Sequence, residues 1–113
     1  MKLVIAYIQP DRLNAVKQAL FARSIFKISV TNALGCGRQK GHTRLFRGVE
    51  SEVTLLKKVR LAIGVNDEFV DATIEGICEG ARTGNIGDGK IFVLPMAECV
   101  RIRTGERGPA AIG

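Results

Sequence analysis

The chain opens on an apolar run, Lys2–Ile8, in which Leu3, Val4, Ile5 and Ile8 supply a buried face, and this predicts a strand. Pro10 ends it, because proline cannot continue a hydrogen-bonded ladder. Leu13, Val16 and Leu20 then recur at helical spacing and predict a helix capped by Asp11 and running to about Arg23. Phe26 to Leu34 is rich in β-branched residues and reads as a second strand, stopped by the break Gly35-Cys36-Gly37. Residues 38–57 are polar and basic with no sustained period. A loop of that length inside a small domain is uncommon and points to function. Alternation returns over Lys58–Val65 and predicts a third strand. Asn66-Asp67-Glu68 is expected to cap a second helix whose core face is Val70, Ile74, Ile77 and Ala81. Lys90–Met96 is the next strand, Glu98–Thr104 alternates once more, and residues 105–113 form a tail.

The order is β-α-β, long loop, β-α-β, with a short extra C-terminal strand. It predicts an α+β fold of the ferredoxin-like βαββαβ type, one domain over residues 1–113, with an antiparallel sheet carrying both helices on one face. The other face would be left open. A chain of 113 residues would have to bury it, and self-association is the expected route.

Composition narrows the function classes. With 46% hydrophobic and 25% charged residues this is the make-up of a soluble globular domain, and no apolar run approaches the ~20 residues of a membrane span. The apolar N-terminus lacks a small-residue cleavage site, so it reads as a strand and the expected location is the cytoplasm. Three widely spaced cysteines (Cys36, Cys78, Cys99) without a C-x-x-C, and a single histidine, His42, argue against a disulfide framework or a zinc site. Net charge is +6, and the stretch from Arg38 to Lys58 carries six of the cations (Arg38, Lys40, Arg44, Arg47, Lys57, Lys58). Such a segment suits an acidic partner or an anionic small molecule. Nucleic acid is not expected, since there is no Trp, one Tyr and no aromatic pair for base stacking.

The most chemically suggestive stretch is Thr83–Val93, T-G-N-I-G-D-G-K-I-F-V. Glycines allow successive backbone N–H groups to point at one anion, and Lys90 adds a full charge. Gly84 to Lys90 fits the spacing G-x-x-x-x-G-K of a P-loop, but Ile91 stands where Mg²⁺ binding needs a hydroxyl. The order is also inverted, with helix before the loop and strand after it. A phosphate loop of another design is the reading.

Three motifs in one order carry a resemblance: Gly35-Cys36-Gly37-Arg38-Gln39-Lys40-Gly41-His42-Thr43, then Thr83–Val93, then Val100–Glu106 (V-R-I-R-T-G-E). Together they resemble the PII signal-transduction proteins of nitrogen regulation, over essentially the whole chain. The resemblance implies a homotrimer with ATP or ADP in clefts between subunits. It implies Gly87, Asp88, Gly89 and Lys90 around the phosphates, with Arg38 of the same subunit and Arg101 and Arg103 of the neighbour as charge partners. Arg101 and Arg103, two apart, would project from one face of a strand. Ser29 would meet the adenine through its hydroxyl, Gly64 the base edge through its backbone, and Gly35 and Gly37 complete the nucleotide set. A second ligand, 2-oxoglutarate, is implied at Gln39, Lys58, Gly41, Ile86 and Gly87, with Gln39 and the ATP phosphates holding Mg²⁺. Residues 38–57 would be the T-loop, reordered by these ligands and docking on a protein target.

The T-loop departs from the family pattern while the ligand residues are kept. Ser51 replaces the tyrosine that many members uridylylate, and Val49 the serine phosphorylated in the cyanobacterial branch. Arg44, Phe46 and Lys57 also differ from the common residues, whereas Arg47 matches the tip arginine that enters ammonium-channel pores. Arg44, Arg47, Glu50 and Ser51 are the expected docking residues, for an ammonium channel, another transporter or a metabolic enzyme, with membrane association only through such a partner. A regulator is expected rather than an enzyme, since no Ser/His/Asp or Cys/His set is evident. The alternatives are a divergent adenine-nucleotide sensor serving a transporter or answering another metabolite such as bicarbonate, and a weak ATPase relying on Asp88.

Overall fold

Strand β1 (Lys2–Ile8) is formed over the residues its apolar run predicts and lies inside a four-stranded sheet. The computed structural model describes residues 1–36, 44–46, 49–51 and 55–113. After β1 come α1 (Leu13–Ala22), β2 (Ser29–Cys36), β3 (Arg44–Phe46), β4 (Val49–Ser51), β5 (Leu55–Val65), α2 (Val70–Ala81), β6 (Lys90–Pro95) and α3 (Pro109–Ile112). The sheet order is β2-β5-β1-β6, antiparallel at every step, and β3 pairs with β4 separately. This is the ferredoxin-like arrangement that the element order predicts.

Register decides which residues meet the helices. Ile8 faces Val59 and Lys2 faces Val65, so Val4, Ala6 and Ile8 share one side with Val59, Leu61, Ile63 and Val65. Those residues are buried under Val16 and Leu20 of α1 and Ile77 and Ala81 of α2. α1 and α2 touch through glycine: a Cβ at Gly80 would lie 2.5 Å from the Val16 Cα. Nε of Arg12 donates to the Gly80 carbonyl at 2.9 Å and ties the start of α1 to the end of α2.

The opposite side of the sheet presents Leu3, Ile5 and Tyr7 beside Ala62 and Arg60 on one flank and Phe92 and Leu94 on the other. Tyr7 and Phe92 meet edge to face, ring centroids 6.4 Å apart. Phe92 and Leu94 remain 49% and 43% accessible, so this apolar face is open in the single chain.

Several boundaries differ from the sequence reading. β2 starts at Ser29 rather than Phe26 and runs through Gly35 and Cys36, because β5 begins at Leu55 and offers Leu55 and Leu56 as ladder partners. The expected break at Gly35-Cys36 is therefore strand. β3 and β4 put regular backbone inside the stretch read as structureless. Neither helix has a side-chain cap; a 3₁₀ turn leads into each, over Pro10–Arg12 and Asp67–Phe69. On α2 the inward face is Thr73, Gly76, Ile77, Gly80 and Ala81, and Val70 and Ile74 are only half-buried. Glu98–Thr104 is not a strand. One bridge, Val100 to Arg107, closes a turn there, and the expected tail ends in α3.

Candidate functional site

The glycine loop between α2 and β6 is held by its own aspartate. Oδ2 of Asp88 accepts from the backbone N–H of Thr83 (2.7 Å) and of Gly84 (2.9 Å), and its Oδ1 accepts from the Thr83 hydroxyl. The Thr83 hydroxyl and amide hold the Asp88 carboxyl below its usual range, with the Gly84 amide and the charge of Arg12 adding to them against a small desolvation cost. Asp88 is turned onto the loop's own backbone. No acceptor among the described residues engages the amides of Ile86, Gly87 and Gly89. These N–H groups, beside a Lys90 ammonium that no ion pair engages among the described residues, fit an anion such as a phosphate.

Gly89 is required at its position twice over. Its φ is +107°, and a Cβ there would stand 1.7 Å from the Tyr7 carbonyl oxygen. The loop is thereby pressed onto the end of β1. Just beyond that end, Nε2 of Gln9 donates to the Gly87 carbonyl at 2.8 Å, and Nζ of Lys58 donates to the same oxygen at 3.1 Å. A cavity of about 450 Å³ opens beside them, lined by Gln9, Asp11, Thr83, Asn85, Ile86 and Asp88. A second of about 360 Å³ lies under the loop between α2 and β6, with Arg82 and Lys90 at its rim.

Of the residues singled out from the sequence, the fold brings Lys58, Ile86, Gly87, Asp88, Gly89 and Lys90 to one end of the sheet. Gly35 is carried toward the same end by β2, opposite Leu56. Ser29 and Gly64 lie on the open face toward the other end, where β5 finishes, and a Cβ at Gly64 would touch the Met96 side chain. Arg101 and Arg103 also belong to that far end, past the close of β6, a six-residue strand about 20 Å long. They do not share a strand face as expected. Arg101 is folded into the C-terminal turn, donating to Glu106 (2.9 Å) and to the Ala110 carbonyl (3.0 Å). Arg103 is exposed, and no ion pair engages it among the described residues. Gly37, Arg38, Gln39, Gly41 and Arg47 lie outside the described residues. Arg44, Glu50 and Ser51 fall on β3 and β4.

Gln9 was not among the sequence candidates. The available signal was a polar residue wedged between the last apolar position of β1 and Pro10, at the mouth of the sheet. The same holds for Thr83, whose partner Asp88 lies five residues on. For a metal, the described residues contain no group of His, Cys, Asp and Glu able to hold an ion.

Comparison with known proteins bears on the family of the chain. The family model for nitrogen regulatory protein P-II matches residues 1–106. The chain belongs to the P-II family. It is 53% identical to a nitrogen regulatory protein P-II of Azospirillum brasilense over 112 residues, covering 99% of this chain and 100% of that protein. It is 49% identical to the nitrogen regulatory protein P-II 1 of Escherichia coli K12 with the same coverage. A nitrogen regulatory protein GlnK1 of Methanosarcina mazei is 47% identical, with 99% of this chain and 97% of that protein covered. P-II relatives are thus named as regulators, and the match takes in the glycine loop, the T-loop and the C-terminal turn alike. No helix among the described residues is long and apolar enough to cross a membrane.

Proposed function

We propose that this P-II protein is a homotrimeric, cytoplasmic sensor of ATP, ADP and 2-oxoglutarate that regulates a nitrogen-related protein target through residues 38–57. ATP or ADP occupies a cleft between neighbouring subunits, its phosphates against the Gly87–Lys90 backbone and Lys90. Arg38 of the same subunit and Arg103 of the next supply further charge, and Arg101 anchors the turn that presents Arg103. Ser29, Gly64, Gly35 and Gly37 take up the rest of the nucleotide. Gln39 and the phosphates would hold Mg²⁺, which would supply a hard cation for the keto acid of 2-oxoglutarate, and Lys58 would pair with the far carboxylate beside Gly41, Ile86 and Gly87. The bound state is read out by Arg44, Arg47, Glu50 and Ser51. The protein regulates rather than catalyses.

One observation supports this reading: Lys90 lies at one end of the sheet and Arg103 past the close of β6 at the other, so a ligand held by both would sit between two copies. The open face of Leu3, Ile5, Phe92 and Leu94 supplies a surface on which those copies can meet. Titration calorimetry with Mg-ATP, with and without 2-oxoglutarate, is the test. The expected result is tight ATP binding strengthened by 2-oxoglutarate, with the strengthening absent in Lys58→Ala. ATP binding that survives in Lys90→Ala/Arg103→Ala would overturn the cleft assignment.

A further inference from the structure

Two side chains from different strands share a single acceptor, the Gly87 carbonyl, and only one of them is charged. Continuing the β1–β5 register one residue past Ile8–Val59 sets Gln9 opposite Lys58. Continuing the β1–β6 register past Tyr7–Lys90 sets Gln9 beside the glycine loop. Gln9 therefore sits between the lysine and the loop. Gly87 itself leaves it that room, because a Cβ there would lie 2.9 Å from Gln9 Nε2. An ammonium on a neutral carbonyl is poorly matched when a carboxylate comes within reach, since charged partners make the stronger hydrogen bond. If Lys58 turns to such a carboxylate, the Gly87 carbonyl loses one donor, and a part-buried acceptor left bare is costly.

We propose that Gln9 is a positioning residue of the dicarboxylate site: its amide holds the Gly87 peptide in place and so frees Lys58 to bind the ligand. The inference rests on the 2-oxoglutarate reading above. Without Gln9, Lys58 would be the only donor left on the Gly87 carbonyl. Each ligand carboxylate would then have to displace it, and the loop that holds the phosphates would loosen as the ligand bound.

The test compares the full-length protein with Gln9→Met, Gln9→Lys and Lys58→Met. Gln9→Met keeps the length and removes the donor, while Gln9→Lys restores one. Under saturating Mg-ATP, Gln9→Met is expected to weaken 2-oxoglutarate binding about tenfold, the value of one hydrogen bond to a part-buried acceptor, and to change ATP affinity less than about threefold. Gln9→Lys is expected to recover most of the loss. Equal losses in Gln9→Met and Gln9→Lys, or none in Gln9→Met, would overturn the proposal. A second readout needs no dicarboxylate: the ¹³C resonance of the Gly87 carbonyl in the Mg-ATP form. It should hold its hydrogen-bonded position in Lys58→Met and lose it in the Gln9→Met/Lys58→Met double variant. If the wild type fails to bind 2-oxoglutarate, the functional reading falls, and this resonance alone decides Gln9. An unchanged resonance in the double variant overturns its role.

Discussion

Asp88 shows how one side chain can change its apparent job. In the sequence it is the only acid near the glycines and invites a catalytic role. In the fold it is spent on Thr83 and Gly84, and it shapes the loop. Its folded pKa lies below the ordinary 3.8, so the ionised carboxylate stabilises the loop above that pH. The contribution disappears as the pH falls through the folded value. The amide resonances of Thr83 and Gly84 should therefore titrate together with a midpoint under 3.8, and Asp88→Asn should flatten both. A midpoint above that value would contradict the bonding pattern. Gly89→Ala should be far more damaging, because the new methyl would collide with the Tyr7 carbonyl in a left-handed backbone. A loss of about 2–4 kcal/mol in urea unfolding, together with loss of nucleotide binding, is the expected outcome.

At the scale of elements, the buried stripes of β1 and β5 and the close crossing of α1 and α2 bear the stability. Leu61→Ala should cost about 2–5 kcal/mol through the cavity it leaves between sheet and helices. Gly80→Ala should push the helices apart at Val16 and cost about 1–3 kcal/mol, whereas Ala72→Gly on the half-buried side should cost about 1 kcal/mol. Denaturant melts that rank these variants otherwise would contradict the packing. Where apolar residues faced a buried partner, the elements were readable from the sequence: β1 and β6 begin where the pattern places them. Elements settled by tertiary pairing were not. β2 shifts toward Cys36 because Leu55 and Leu56 extend β5, and no local signal in either segment announces the other. The alternation of Cys99, Arg101 and Arg103 is likewise overridden, because Glu106 and the Ala110 carbonyl draw Arg101 into a turn. The glycine loop was legible as a candidate phosphate loop from residue types alone, whereas Lys58 carried no signal by itself and entered only through the family resemblance. Gln9 was not legible, since only the register of three strands brings it there.

For the whole molecule, the proposed cleft draws on Lys90 from one end of the sheet and Arg103 from the other. Leu94→Glu on the open face should give a monomer by sedimentation and abolish nucleotide binding without touching any ligand residue. Nucleotide binding by that monomer would refute the shared cleft. Lys90→Ala and Arg103→Ala should each bind poorly alone, yet after unfolding and refolding together roughly one cleft in four should recover. A cleft shared as proposed also has a genetic consequence. A defective copy would harm the cleft on either side of it, borrowed from or lent to healthy neighbours. A mutant allele would then act dominantly, and a cell making two such proteins would hold hybrid sensors whose thresholds follow the ratio in which the genes are expressed.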